Sequence, residues 1–122
     1  MEIKHSISGK VLVTIESDTL EGVCLQKINL VGADLTNANL KGADLRDVNL
    51  RSARLECANL QGANLENAEL TNAELQYANL EKANLKNAIL MGANLQGTTL
   101  YGRDFIGADL TGVNLRRTII KR

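Results

Sequence analysis

Leucine stands at every fifth position from Leu25 to Leu115, with Phe105 the single replacement. A period of five belongs to neither a helix nor a plain strand. On a helix, leucines five apart advance by about 140° and wind over the whole surface, so no buried stripe forms. Repeated Gly and Asn weaken a helix further.

The columns around each leucine say what the period builds. Taking the leucine as position i, Ala fills i−2 in most repeats, as at Ala33, Ala43, Ala53 and Ala63. Asn or Asp dominates i−1, as at Asp34, Asn39, Asp44 and Asn59, and i+2 is rich in Gly and Asn, as at Gly32, Asn37 and Gly42. In extended chain i−2 and i point one way and i−1 the other. Ala and Leu are therefore expected inside, with Asn or Asp outside. Gly or Asn at i+2 suits the second central residue of a type II turn, which needs positive φ. Each pentapeptide then makes one short side and one corner of a polygonal solenoid.

The motif A-(D/N)-L-x-x, seen in "ANLKGADLRDVNL" and "ANLEKANLKNAIL", resembles the pentapeptide repeat family over about Val23 to Thr118. The resemblance implies an all-β fold, a right-handed quadrilateral β-helix with four pentapeptides per coil. Residues twenty apart should then stack. Mild departures fall at Ile28, Val48 and Val113, and stronger ones at Thr98, Arg103 and Thr118. Arg103 occupies an inward position, which predicts a loosened core near the last coil and an adjacent carboxylate partner.

Solenoid ends expose unpaired strand edges and core. "EIKHSISGKVLVTIE" alternates like a strand pair around Ser8–Lys10, which predicts an N-terminal β-hairpin cap. The expected division is a cap over 1–18 and a β-helix of about five coils over 19–122. After Leu115 only "RRTIIKR" remains. The last coil is expected to be covered either by these residues folding over it or by a second copy. The family resemblance implies a homodimer through that coil, with Phe105, Ile119 and Ile120 at its apolar end.

Chemistry is sparse. The 14 basic and 14 acidic side chains cancel, so no strong field draws nucleic acid or an anionic membrane. Neither partner is expected. The start lacks the apolar run of a signal peptide and only two cysteines occur, which predicts a reduced, cytoplasmic protein. His5 has no triad-like partner, and Cys24 and Cys57 fall on different sides of the polygon, so neither a disulfide nor a shared metal site is expected. No phosphate-loop lysine pattern accompanies the glycines. The expectation is a protein that is not an enzyme and holds no cofactor or metal.

Two roles remain. The quinolone-resistance group of the family resembles duplex DNA and binds type II topoisomerases, which requires negative charge running along the rod. Here outward columns alternate in sign, as in Asp34, Arg54, Glu74, Asn94 and Asn114, and the mid-chain glutamates form a belt. That role is therefore the alternative. The leading expectation is a non-catalytic binding or scaffold module for a protein partner. Exposed apolar departures at Ile89, Met91, Tyr101 and Ile106 mark its candidate interaction patch.

Overall fold

A computed structural model describes all 122 residues. The chain is an all-β, right-handed quadrilateral β-helix closed at its N-terminal end by a hairpin. Stacking follows a step of twenty, in parallel bridges such as Asp34↔Arg54, Asn39↔Asn59 and Asp44↔Asn64. We number the sides by their central residues. Side 1 carries Leu25, Leu45, Leu65, Leu85 and Phe105; side 2 Leu30, Leu50, Leu70, Leu90 and Leu110. Side 3 carries Leu35, Leu55, Leu75, Leu95 and Leu115, and side 4 Leu20, Leu40, Leu60, Leu80, Leu100 and Ile120.

One repeat, Ala43–Asp47, shows why the sequence folds this way. The Ala43 N–H closes the preceding corner on Leu40 O at 3.0 Å. Asp44 donates to Val23 O of the coil below at 2.8 Å, while Leu45 and Asp47 donate to Asn64 O and Glu66 O of the coil above at 2.8 and 3.1 Å. The fifth donor, the Arg46 N–H, faces outward at the corner and is taken by the Asp44 side chain at 3.3 Å. All five backbone donors are thus satisfied, which any ordered backbone demands. The same short loop recurs from Asn29–Val31 to Asn114–Arg116. Asn and Asp at i−1 therefore do more than tolerate water; except at Asp104, in the rewound last coil, each accepts the one N–H that the coils leave over.

Corners have positive φ at i+2, as expected. Gly and Asn are joined there by Lys27, Asp47, Ser52, Cys57, Tyr77, Lys82 and Arg117, all with φ between 57° and 61°. For these residues the left-handed conformation costs about 1 kcal/mol or more. The corner bond and interturn bonds on either side outweigh it.

Leu and Ala fill the interior in one continuous cluster of 30 buried residues, from Ile3 to Leu100. Val48 sits inside as Ala would, and Thr98 is buried with its hydroxyl donating to Leu95 O at 2.8 Å. Thr118 donates to the same oxygen from the next coil at 2.7 Å. Both polar departures are absorbed by one carbonyl.

At the N-terminal end β1 (Glu2–Lys4) and β2 (Val11–Thr14) pair antiparallel. Ile3 enters the core, and Asp34 N–H and Ser6 N–H bond across to Lys4 O and Gly32 O, both at 2.8 Å. His5 Nδ1 accepts the N–H groups of Ile7 and Ser8, and the ring lies on Gly32. A Cβ at Gly32 would collide with His5 Nε2.

The C-terminal end differs from expectation in two ways. Arg103 does not point inward. Residues Gly102–Phe105 wind into a short 3-10 turn that swings its guanidinium out, 3.8 Å from Asp104 and over the Tyr101 ring at 5.5 Å. A guanidinium inside this apolar core would leave its donors unpaired, so the side rewinds instead. Nor does the tail fold over the last coil. β4 (Ile119–Lys121) extends side 4 by one rung, parallel to β3 (Thr99–Tyr101).

Candidate protein-interaction surface

The outward column of side 2 runs Asn29, Asn49, Glu69, Ile89, Asp109. Ile89 replaces the usual acceptor, so it gives nothing to the Met91 N–H and instead presents an apolar group, 38% exposed. Met91, 42% exposed, lies at the corner between sides 2 and 3. Ile106, 61% exposed, stands one coil higher at the corner between sides 1 and 2, above Lys86 in its column. These three predicted residues therefore flank a single side.

Tyr101 does not join them. It lies at the corner between sides 4 and 1, where Arg103 and Lys121 sit over its ring at 5.5 and 5.8 Å. Its ring is held within a cationic cluster, so it is not part of a common patch with Ile89.

Two carboxylates border Ile89, one of them, Glu69, a member of the mid-chain glutamate belt. Glu69 and Asp109 bridge to it from below and above. The Thr71 N–H and hydroxyl both donate to Glu69, and the Thr111 N–H and hydroxyl donate to Asp109 at 3.0 and 2.6 Å. The Thr111 hydroxyl, helped by its N–H, holds the Asp109 carboxyl below the usual carboxylate range. Stepping along side 2 by twenty is the signal that groups Glu69 with Asp109 around Ile89.

At the C-terminal coil Phe105 is half-buried against the core, whereas Ile119 and Ile120 are exposed. Arg116, Arg117, Lys121 and Arg122 are exposed around them. Cys24 lies on side 1 and Cys57 at the corner between sides 3 and 4; both are free and exposed. No helix is long and apolar enough to cross a membrane.

The chain matches the family model of pentapeptide repeats, in eight copies, over residues 19–51, 53–91 and 88–122. The chain belongs to the pentapeptide repeat family. It is similar to a pentapeptide repeat protein from the Arabidopsis thaliana thylakoid lumen, with 33% identity and a TM-score of 0.74. That match covers 77% of this chain and 66% of the plant protein, just under two thirds of its length. The cyanobacterial pentapeptide repeat protein Rfr23 from Cyanothece 51142 is 35% identical over 85% of this chain and 84% of its own, with a TM-score of 0.43. QnrB1, a plasmid-mediated fluoroquinolone resistance protein, is 16% identical over 85% of this chain and 66% of its own, with a TM-score of 0.26. No curated protein matches the chain in sequence. Pentapeptide repeat proteins are generally non-catalytic scaffolds.

Proposed function

We propose that this pentapeptide repeat protein is a non-catalytic binding or scaffold module that offers side 2 of its rod to another protein. The observation that carries the reading is Ile89, Met91 and Ile106 exposed together around one side of the ladder, whereas Val31 and Tyr77 are exposed singly. Apolar groups grouped on a rigid surface mark interaction sites more strongly than scattered ones. Backbone bonds between coils fix their spacing, so little conformational entropy is lost on binding. The exposed thiols of Cys24 and Cys57 suit a reducing compartment, and we place the module in the cytoplasm on that ground.

Opposite charges stack on one another along side 3, where Asp34, Arg54 and Glu74 are successive bridge partners. This pattern favours protein binding over mimicry of a DNA backbone, whose charge keeps one sign along its length. Affinity capture from the native cell, with Ile89→Asn and Met91→Thr as the comparison, tests the reading. Loss of the captured partner in the double variant is expected; an unchanged capture removes side 2. Inhibition of gyrase supercoiling at stoichiometric protein would instead favour the topoisomerase alternative.

A further inference from the structure

We propose that side 2 docks a cationic amphipathic helix of the partner, laid along the rod axis with basic side chains on Glu69 and Asp109 and apolar ones on Ile89. The inference rests on the protein-binding reading above and names the chemistry of the partner.

Charge argues for it first. Neither Glu69 nor Asp109 has a cation of this chain to pair with; the ion pairs present use Asp44, Glu56 and Asp104. Each carboxylate is instead aimed by its threonine, with oxygen lone pairs left free for a second donor. Glu66 lies on the corner next to Glu69, and of the cations in that corner's column Arg46 is engaged by Asp44 one coil lower, which leaves Lys86 as the cation level with Ile89. A partner seated on Ile89, Met91 and Ile106 thus meets more negative than positive charge, which favours a basic segment and disfavours nucleic acid or an anionic bilayer.

Spacing argues for a helix. Glu69 and Asp109 are two coils apart, about 9.6 Å at the usual strand separation, with Ile89 midway. Seven residues of α-helix rise about 10.5 Å and positions three or four residues along fall at the midpoint. Lys or Arg at i and i+7, with apolar residues at i+3 and i+4, therefore matches the order carboxylate, isoleucine, carboxylate. Same-face residues of a strand repeat at about 6.6 Å and reach only one carboxylate at a time. Met91 and Ile106, on the two corners, would flank such a helix.

The test uses the full chain and a labelled synthetic helical peptide carrying Arg at i and i+7 and Leu at i+3 and i+4, titrated by fluorescence anisotropy. Saturable binding is expected, weakened about tenfold by the double substitution Glu69→Gln with Asp109→Asn, and about tenfold by Ile89→Asn. These amides keep the oxygen that accepts from threonine, and unchanged thermal unfolding verifies the fold. A peptide of the same composition with arginines moved off that register should bind about tenfold more weakly. Equal binding of the shuffled peptide, or binding indifferent to the three substitutions, overturns the proposal. Sedimentation without peptide addresses a second copy as occupant: self-association abolished by the carboxylate substitutions overturns a partner helix in favour of that copy. Partner capture that survives the carboxylate substitutions overturns this proposal and leaves the binding module standing, whereas capture by neither form removes the module reading and this one with it.

Discussion

Each residue in the repeat answers one steric or hydrogen-bonding demand, so single substitutions have calculable consequences. Leu65 is buried at the middle of side 1. Truncation to Ala should cost ~2–5 kcal/mol in urea unfolding, because coils above and below hold the space open; a smaller loss would mean that the stack collapses around it. Ile89→Asn should act in the opposite direction. It returns an acceptor to the Met91 N–H, as Asn49 does for Arg51 at 3.2 Å, and should add about 0.5–1.5 kcal/mol. Stability gained as partner binding falls would separate a functional role of Ile89 from a structural one. Asp44 contributes to acid behaviour, as do Asp34 and Asp109, whose carboxyls are also held below the usual range. The Arg46 guanidinium, donating to the two Asp44 oxygens at 2.9 and 2.7 Å, and the Gln26 amide hold that carboxyl far below the usual range. A carboxylate that binds its proton less tightly folded than unfolded adds stability above the unfolded pKa, near 3.8, and loses it as pH falls toward the lower folded value. The melting temperature should therefore drop between pH 5 and pH 2, and Asp44→Asn should drop less over that interval while melting lower at pH 7.

At the scale of sides, corners and cap, most of the architecture was legible because it is local. Inward Ala and Leu, outward Asn and Asp, and the positive-φ corner all follow from alternation and residue type within five positions. Tyr77 was not legible as a corner residue, since nothing in its own chemistry asks for φ of 59°. The bonds its backbone makes to Gln96 O, and those of its neighbours, impose that conformation. Tyr101 is separated from Ile89 by column membership itself, since steps of twenty put it at the corner between sides 4 and 1; only the cations closing over its ring depend on the whole last coil. The cap docks on the rod through Ile3, through the Ser6 and Asp34 amides, and through His5, which rests on Gly32. Gly32→Ala adds both a left-handed alanine and a collision with the imidazole, worth about 1–3 kcal/mol. Hydrogen exchange should show the Ser6 and Asp34 amides losing protection while those of Leu65 and Leu70 keep theirs. Loss spread evenly over all coils would show instead that the cap and the rod unfold as one unit.

Across the whole molecule, a rod held by nearest-neighbour contacts has stability that varies along its axis. The central leucines of the middle coils are 0–1% exposed, as at Leu50, Leu60 and Leu70, whereas Leu115 is 38% and Ile120 49% exposed. Fraying from the C-terminal coil is therefore expected in the monomer, with the Ile119 amide exchanging faster than the Asn79 amide although both donate to the coil below at 2.9 Å. A homodimer through this coil, which we propose alongside the side-2 partner, would bury Phe105, Ile119 and Ile120. A two-fold arrangement also brings Arg116, Arg117, Lys121 and Arg122 toward their own copies. Apolar burial favours that contact and like-charge repulsion opposes it, and only the repulsion is screened by salt. Protection of the Ile119 amide should thus rise with protein concentration, and rise further when salt is increased from about 50 to 500 mM. Sedimentation at micromolar concentration should show the dimer fraction moving in the same direction. A strict monomer at both salt concentrations, with Ile119 exchange independent of protein concentration, would leave side 2 as the surface through which the rod acts.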